Sequence, residues 1–376
     1  MFFEYQAKNL KQEYIDALST IGSLSNLFSN STTPYLYYRV AEKIFCQSFG
    51  ANDLSRGDIA LDASKEHLGI GLKTFLKKNN NTLQKIAEFN KDRELYKDKT
   101  PVDMMSIVSN LRNSRVSFAE KLTDVESSIY HCIIREENKF HIFEESMSYI
   151  DIENISDIKK KKNSIWFNDG INEYNFNISK STLLKRFDTN LSIEEFEVSI
   201  LDDPLDNLNR CLTKNKDIWD RKDAIQDTLY LPLYGKNRVV SPKSGLNQWH
   251  ASGRQRDYNE VYIPIPSKIH KCSKEFFPNR DMPFTLHLPN GSSMSAKVCQ
   301  DNSKALMSNP NKELGKWILR DILNLKEGEL LSYEKLQFIG IDSIRIDKID
   351  KLNYKINFVE LGSFENYIDK CESEYL

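Results

Sequence analysis

The sequence predicts an α+β protein of two domains, an N-terminal α/β domain and a C-terminal β-barrel. Apolar residues recur every three to four positions over residues 2–50, which is typical of amphipathic helices. Strand-like segments follow, and beyond residue 226 most of the chain consists of short strand-like runs separated by turn residues. We expect the N-terminal domain over residues 1–200, a linker over 201–225 and the C-terminal domain over 226–376.

The N-terminal domain is predicted from the order of its elements after the first helices. Two alternating segments should pair as a β-hairpin, one segment returns to helical spacing, and two more alternate as strands do. A helix followed by a mixed sheet and further helix predicts an α/β core. In chain order these segments are Asp58–Ser64, Ile70–Phe75, Thr82–Leu95, Ser128–Arg135 and Lys139–Phe143.

Three other segments carry specific expectations. Lys159–Lys162 is predicted to be a solvated turn between strands, with a phosphate contact as the alternative. Leu201–Asp223 is rich in Asp and Asn and is the linker candidate. A helix is expected near Glu313–Ile322 within the C-terminal strands.

Composition excludes several classes of protein. No apolar run approaches the ~18 residues of a membrane span, and the first residues lack the features of a secretion signal. Six cysteines lie far apart without a C-x-x-C pair, which argues against a zinc site or a disulfide scaffold and favours a cytoplasmic location. The net charge of −2 does not exclude DNA binding, because phosphate contacts need only local basic patches.

The segment from Gly245 to Pro266 is the most informative part of the chain. It places arginines and side-chain amides in a turn-rich approach to one short apolar strand. Arginine forks and amides are the groups that pair with base edges in the major groove. The alternative is a polar surface loop before a strand.

Between about Leu231 and Phe358 the chain contains, in this order, S-G-L-N, G-R-Q-R, E-V-Y-I-P-I-P, a P-N-G turn, V-C-Q-D-N-S-K-A-L-M-S-N-P-N and the helix E-L-G-K-W-I-L-R-D-I-L. With these motifs in this order, the region resembles the B3-like DNA-binding domain of restriction endonucleases, a pseudobarrel of the NgoFVII and EcoRII effector-domain type. It implies double-stranded DNA as the partner. It also implies two arms that grip the major groove, corresponding to Gln248–Asn259 and Asp301–Asn311.

The two arms supply the candidate DNA-binding residues. Arg favours guanine, Asn and Gln favour adenine, Asp can accept from cytosine, and Lys or Ser can anchor phosphates. The alternative is that each of these side chains is an ordinary polar residue of a surface loop, and that Trp249 packs beneath its loop. The candidates are Gln248, Trp249, Arg254, Arg256, Asp257 and Asn259 in the first arm, and Asn302, Ser303, Lys304, Ser308, Asn309 and Asn311 in the second.

The predicted hairpin carries the candidate catalytic residues. Asp62 lies on its first arm and Lys73 on its second, so both can meet at one edge of the sheet. There a carboxylate can hold Mg²⁺ and a lysine can orient or help deprotonate the attacking water. The alternative is an ordinary hairpin with surface charges.

This arrangement resembles the core of PD-(D/E)XK nucleases, in which an acid on one strand precedes an acid-x-Lys on the next. The sequence departs from that pattern at Gly71, where the family has its second acid. The resemblance suggests Glu42, on the preceding helix, as the second metal ligand, with Asp58 as another option. Gln84 and Glu88, taken as one helical turn apart, could line the cleft.

The sequence also departs from NgoFVII-type enzymes, whose nuclease carries a His-x-Lys motif and needs no metal. None of the six histidines is followed two residues later by Lys. The leading hypothesis is therefore a Mg²⁺-dependent type II restriction endonuclease, with homodimerisation left open. The alternatives are a non-catalytic, sequence-specific DNA-binding regulator and a nuclease that reads modified bases.

Overall fold

The computed structural model describes residues 1–55, 57, 59–78, 81–190, 192–214, 227–251, 256–273 and 275–374. The chain divides into two compact units. Unit 1 comprises Met1–Arg56, Ala60–Val116 and Val125–Lys222, and unit 2 comprises Gly57–Ile59, Ser117–Asp124 and Asp223–Leu376. No helix in the described ranges has the length and apolar character needed to cross a membrane.

Unit 1 combines helices with two β-sheets. Its helices are α1 (Lys8–Ser23), α2 (Tyr38–Phe49), α3 (Arg93–Tyr96), α4 (Pro101–Thr123, whose last residues belong to unit 2) and α5 (Pro204–Lys214). Its strands are β1 (Asn52–Asp53), β2 (Ala63–Lys65), β3 (Leu68–Leu76), β4 (Asn81–Glu88), β5 (Ser127–Glu136), β6 (Lys139–Ser146), β7 (Ser156–Lys161), β8 (Ser164–Asn168), β9 (Glu173–Asn177), β10 (Thr182–Asp188) and β11 (Glu194–Glu197).

Sheet A is a mixed sheet with the strand order β1-β2-β3-β5-β6-β11. Strands β3 and β5 are parallel and the other neighbours are antiparallel. The predicted helices in residues 2–50, the hairpin of β2 and β3, and the strands β5 and β6 are confirmed. The first hairpin arm is shorter than expected, because regular pairing begins only at Ala63.

Alternation along the strands gives sheet A two different faces. One face packs on α1 and α2, and its core members include Ile70, Leu72, Ile133, Phe140 and Ile142. The other face meets sheet B, where the ring of Phe187 on β10 contacts the rings of Phe75 and Tyr130. Lys185, also on β10, is buried and forms an ion pair with the half-buried Glu145 of β6.

Sheet B is antiparallel, with the order β4-β10-β9-β8-β7. The predicted helix over Thr82–Leu95 is wrong, because Asn81–Glu88 forms the strand β4 and only Arg93–Tyr96 is α-helical. Pairing of β4 with β10 shifts by one residue between Leu183 and Leu184. Such a bulge breaks period-two alternation, so the apolar residues of β4 mimic helical spacing.

Two further segments of unit 1 differ from expectation or extend it. The predicted turn over Lys159–Lys162 is wrong in its bounds, because Ser156–Lys161 is the edge strand β7 and only Lys162 lies in the turn to β8. Within the predicted linker, Pro204–Lys214 forms α5. Residues 215–226 lie outside the described residues, so the linker stays a prediction.

Unit 2 is built around a seven-stranded sheet C with the order β12-β17-β18-β14-β15-β16-β13. Its edge strands β12 and β13 lie against each other, so the sheet closes almost into a barrel. Its strands are β12 (Asp227–Pro232), β13 (Ile263–Pro264), β14 (Phe284–His287), β15 (Ser293–Cys299), β16 (Ala305–Ser308), β17 (Ile341–Lys348) and β18 (Asn353–Glu360).

Helices cover this barrel and complete its apolar core. The helix predicted near Glu313–Ile322 is confirmed as the short α7 (Glu313–Gly315), continued by a π-helical segment over Lys316–Ile322. Trp317 of that segment packs on Phe358 of β18, with ring centroids 5.4 Å apart. The other helices are α6 (Ser267–Cys272), α8 (Tyr333–Ile339) and α9 (Ser363–Glu374).

Candidate functional site

The first candidate site lies at the hairpin of sheet A. Asp62 directly precedes β2, and its backbone N–H donates to the carbonyl of Ile70 (2.9 Å). The backbone N–H of Leu72 donates to Oδ2 of Asp62 (2.7 Å). Burial raises the pKa of Asp62, while the Lys73 ammonium and this hydrogen bond oppose the rise. The positive charge of Lys73 on β3 therefore acts on the Asp62 carboxylate.

Glu42 of α2 belongs to the same charge cluster. Its side chain is buried, and Nη1 of Arg39 lies 3.4 Å from its Oε2. Burial and the negative charge of Asp62 raise the pKa of Glu42 to about 7, and Arg39 opposes this rise. A bound cation would stabilise a buried carboxylate such as Glu42 beside the half-buried carboxylate of Asp62.

A third acid, Asp53, was not identified from the sequence. It lies on β1 opposite Ala63, and its charge raises the pKa of both Glu42 and Asp62. Burial, followed by the charges of Asp53, Glu42 and Asp62, also raises the pKa of the Cys46 thiol to about 12. No spacing signal marks Asp53, because only the pairing of a two-residue strand brings it to this edge.

Neighbouring side chains occupy the space that a side chain at position 71 would need, where the sequence has Gly71 instead of an acid. A Cβ atom at Gly71 would lie 2.3 Å from the Cε methyl of Met147 and 3.3 Å from the Tyr130 ring. The space of a side chain at this position is already filled. An acid in the usual second position would require the Met147 methyl group to shift, and the other acids that act on Asp62 and Glu42 lie on α2 and β1.

Three other predicted residues are placed as follows. Gln84 and Glu88 were predicted on a helix lining the cleft, and this is wrong, because both lie on β4 in sheet B. The side chain of Gln84 donates to Oγ1 of Thr82 (3.1 Å), and Glu88 pairs with Lys85 (2.8 Å). Asp58 lies outside the described residues.

In the part of the chain that the structure describes, no group of three or more His, Cys, Asp or Glu side chains could together hold a metal ion.

The second candidate site is formed by the two arms of unit 2. In the first arm, Gln248 and Trp249 lie in a 3-10 segment over Gly245–His250, and both are buried. Nη1 of Arg256 donates to the side-chain oxygen of Gln248 (3.2 Å) and to its carbonyl (3.3 Å). Gln248 therefore holds Arg256 in place. Arg254 lies outside the described residues.

The remaining first-arm candidates make contacts within the domain. Trp249 packs edge-on against the ring of Tyr258, with centroids 5.2 Å apart. Asp257 pairs with Lys312 (2.8 Å), which lies just after the second arm. The Asn259 side-chain oxygen accepts from Nε of Arg320 (2.9 Å). These contacts hold the first arm to the second arm and to the π-helical segment.

The second arm presents more of its candidates to solvent. Asn302, Lys304, Asn309 and Asn311 are exposed, and Ser303 is half-buried. Ser308 is buried, and its Oγ accepts from the backbone N–H of Leu314 (2.9 Å) at the start of α7. The geometry gives Ser308 a supporting role in this arm.

The two arms share a cavity of about 250 Å³. Its walls come from the first arm, from the second arm, and from β15 and β16 between them. Five of its residues were not identified from the sequence, although Lys297 and Cys299 follow the strand alternation expected of one face. The lining residues are Gln248, Arg256, Glu260, Lys297, Cys299, Gln300, Met307 and Asn311.

Residues 223–350 match the family model of the NgoFVII C-terminal B3-like DNA-binding domain. This region therefore carries a B3-like domain of the kind that restriction enzymes use to bind DNA. The match covers about a third of the chain and does not extend to the hairpin site in unit 1. No curated protein shows significant similarity to the chain.

Proposed function

We propose that this protein is a type II restriction endonuclease. In this proposal the B3-like domain reads a DNA sequence, and unit 1 hydrolyses phosphodiester bonds with Mg²⁺. The observation that carries the catalytic part is the cluster of Asp62, Glu42 and Lys73 at one edge of sheet A. Glu42 is buried and Asp62 is half-buried, and the negative charge of Asp62 raises the pKa of Glu42.

The donor chemistry of this cluster suits Mg²⁺. Mg²⁺ prefers hard oxygen ligands, and proteins commonly bind it through one or two carboxylates together with water and substrate phosphate. Asp62 and Glu42 would supply those carboxylates, and Asp53 is a third acid at the same edge. When bound, Mg²⁺ would offset the negative charge that develops on the phosphate during hydrolysis.

The other residues of the cluster have distinct roles in the proposal. The N–H of Leu72 fixes one oxygen of Asp62, which leaves Oδ1 for the cation. Lys73, the next residue on β3, would orient the attacking water and stabilise the phosphate charge. Arg39 is hydrogen-bonded to the carbonyl of Ser55 as well as to Glu42, so it would hold the Glu42 carboxylate in position.

The shared cavity and the contacts of Arg256 support the reading of DNA by the arms. Both arms border one cavity of about 250 Å³, so a duplex lying across its mouth would touch both arms. Arg256 is held by Gln248 with its guanidinium at the cavity wall. A restrained arginine loses less conformational entropy on binding a guanine edge.

The decisive experiment is digestion of phage DNA by the purified protein with Mg²⁺, followed by sequencing of the fragment ends. We expect cuts at or near one short sequence, and none in EDTA. Lys73→Ala should abolish cutting and retain DNA binding. Lys43→Ala, which removes an exposed positive charge beside Glu42 on α2, is the matched control and should cut normally.

Other outcomes would separate the alternatives. Cleavage that persists in EDTA, or in both Asp62→Ala and Lys73→Ala, would remove the proposed catalytic site. Site-specific binding without hydrolysis under any divalent metal would indicate a DNA-binding regulator. Cleavage restricted to methylated DNA would indicate a nuclease that reads modified bases.

A further inference from the structure

We infer that unit 1 carries its own surface for the phosphate backbone of double-stranded DNA, on the outer face of sheet B. This face is the side of the sheet opposite the core that contains Ile165, Phe167 and Phe176. The inference extends the proposed function to a second surface. It requires neither the reading of sequence by the arms nor the catalytic cluster.

The charge of this part of the chain differs from that of the whole protein. Residues 159–186 contain seven Lys or Arg and two Asp or Glu, whereas the whole chain has a net charge of −2. One of the two acids, Asp169, is buried and accepts the turn N–H of Asn172 (2.7 Å). Such a local excess of positive charge attracts a polyanion even when the protein as a whole is nearly neutral.

Strand register places part of this charge on one face. Lys159 pairs with Trp166, which pairs with Asn175, which pairs with Leu184. Directly paired residues point to the same side of a sheet, and so do residues two apart on one strand. Lys161 and Arg186 therefore share this outer face with Lys159.

Trp166 holds two of the cations over its ring. Nζ of Lys161 lies 5.4 Å from the ring centroid, and the guanidinium carbon of Arg186 lies 5.5 Å from it. Such cation–π contacts fix the position of long, mobile side chains. They also occupy the ring, which leaves it poorly placed to stack on bases. The face therefore suits the phosphates of a duplex better than the bases of a single strand.

An unsatisfied donor lies at the centre of the same face. Asn175 is only 5% exposed, and its Nδ2 makes no hydrogen bond to the part of the chain that the structure describes. A buried donor without a partner costs free energy. Because this nitrogen has almost no exposed surface, a phosphate oxygen or a water would satisfy it only after a neighbouring side chain moves. Arg186 is also paired with Glu173, so Lys159 and Lys161 are the better residues to test.

The test uses the full-length protein and a duplex of about 30 base pairs of mixed sequence, in EDTA so that no cutting occurs. Binding is followed by fluorescence anisotropy as salt is raised. Lys159→Gln with Lys161→Gln should weaken binding about five- to tenfold at low salt. Loss of two phosphate contacts should also reduce the slope of log affinity against log salt by about 2.

The matched control changes the other two lysines of the same run. Lys160 pairs with the core residue Ile165 and Lys162 lies in the turn, so neither shares the outer face. Lys160→Gln with Lys162→Gln makes the same change in net charge and should weaken binding less than twofold. Equal losses in both pairs, or no loss in either, would overturn the inference.

Two further comparisons keep this test separate from the proposed function. Arg238→Gln should leave the salt-dependent binding of mixed-sequence DNA intact, because Arg238 is an exposed arginine of unit 2 that lies outside both arms and pairs with Glu365. Tighter binding of a single-stranded oligonucleotide of the same length would contradict a duplex as the occupant. Loss of binding with Lys159→Gln and Lys161→Gln would support the inference even in a protein that never cuts DNA.

Discussion

The backbone N–H of Leu72 donates a hydrogen bond of 2.7 Å to Oδ2 of Asp62, and Leu72 directly precedes Lys73 in the chain. This contact joins the carboxylate before β2 to the backbone of β3. It sets the orientation of Asp62 from the strand that carries Lys73, so any shift of the hairpin register would separate the two groups. Pairing of β2 with β3 is therefore a condition for the proposed chemistry.

Glu42→Gln should make the stability of the protein less dependent on pH. The pKa of Glu42 is raised to about 7, so the folded state binds more protons than the unfolded state between about pH 4.5 and 7. The contribution of Glu42 to stability therefore falls as pH rises through this window. In EDTA the free energy of unfolding of the wild type should therefore fall by about 1–2 kcal/mol relative to that of the variant as the pH is raised from 5 to 8.

Urea denaturation at pH 5 and pH 8 measures this difference. Mg²⁺ should raise the stability of the wild type at pH 8, because a ligand that binds only the folded state stabilises it. It should have little effect on Glu42→Gln. The same pH dependence in both proteins would show that Glu42 does not ionise in the way described.

Arg256→Gln should weaken binding to the cleaved sequence by about ten- to a hundredfold, which is the usual cost of losing one bidentate base contact. Gln248→Ala should have a smaller effect, because it removes only the support of Arg256. Since the two act together, the double variant should bind about as poorly as Arg256→Gln alone.

Arg238→Gln is the control for this series, because Arg238 is an exposed arginine of the same unit that pairs with Glu365. Titration of a labelled duplex containing the mapped cut site gives the affinities. Additive effects of the two arm substitutions would mean that Gln248 does not act through Arg256.

Gly315→Ala should destabilise unit 2 by about 1–3 kcal/mol, the usual cost of overpacking a core. A Cβ atom at this position would lie 2.0 Å from the carbonyl oxygen of Asn259, which is backbone and cannot rotate away. The first arm must then shift away from the helix. Lys316→Ala, an exposed change one residue later, should be nearly neutral in the same thermal denaturation. Equal stability of the two variants would contradict this close approach.

Tyr14→Phe should cost about 1–2 kcal/mol of folding stability. The Tyr14 hydroxyl lies 2.9 Å from Nε2 of His131, and Nδ1 of His131 lies 2.7 Å from Glu144. All three side chains are buried, so loss of the hydroxyl leaves the histidine nitrogen without a partner. Tyr5→Phe removes the same group from an exposed ring and is the control. Chemical denaturation that gives equal midpoints for both would exclude this network as a source of stability.

The sequence by itself determined the local elements. Helical spacing in residues 2–50 and alternation in β3, β5 and β6 are set by which face of each element is buried, and the structure retains them. The B3-like region was predicted from the order of its motifs, and residues 223–350 match that family model. The sequence pattern of β4 predicted a helix instead of a strand, because a bulge opposite Leu183 and Leu184 interrupts the alternation of buried and exposed residues.

Only the tertiary structure decided which distant residues meet. Asp53 joins Asp62 because β1 pairs with β2, and Glu42 acquires its raised pKa because α2 buries it beside that acid. Lys297 and Gln300 border the same cavity as Arg256 because the barrel brings β15 beside the first arm. The spacing of apolar residues indicates which side of a helix or strand is buried. Contacts between elements depend on long-range strand pairing and side-chain packing, which leave no fixed spacing in the chain.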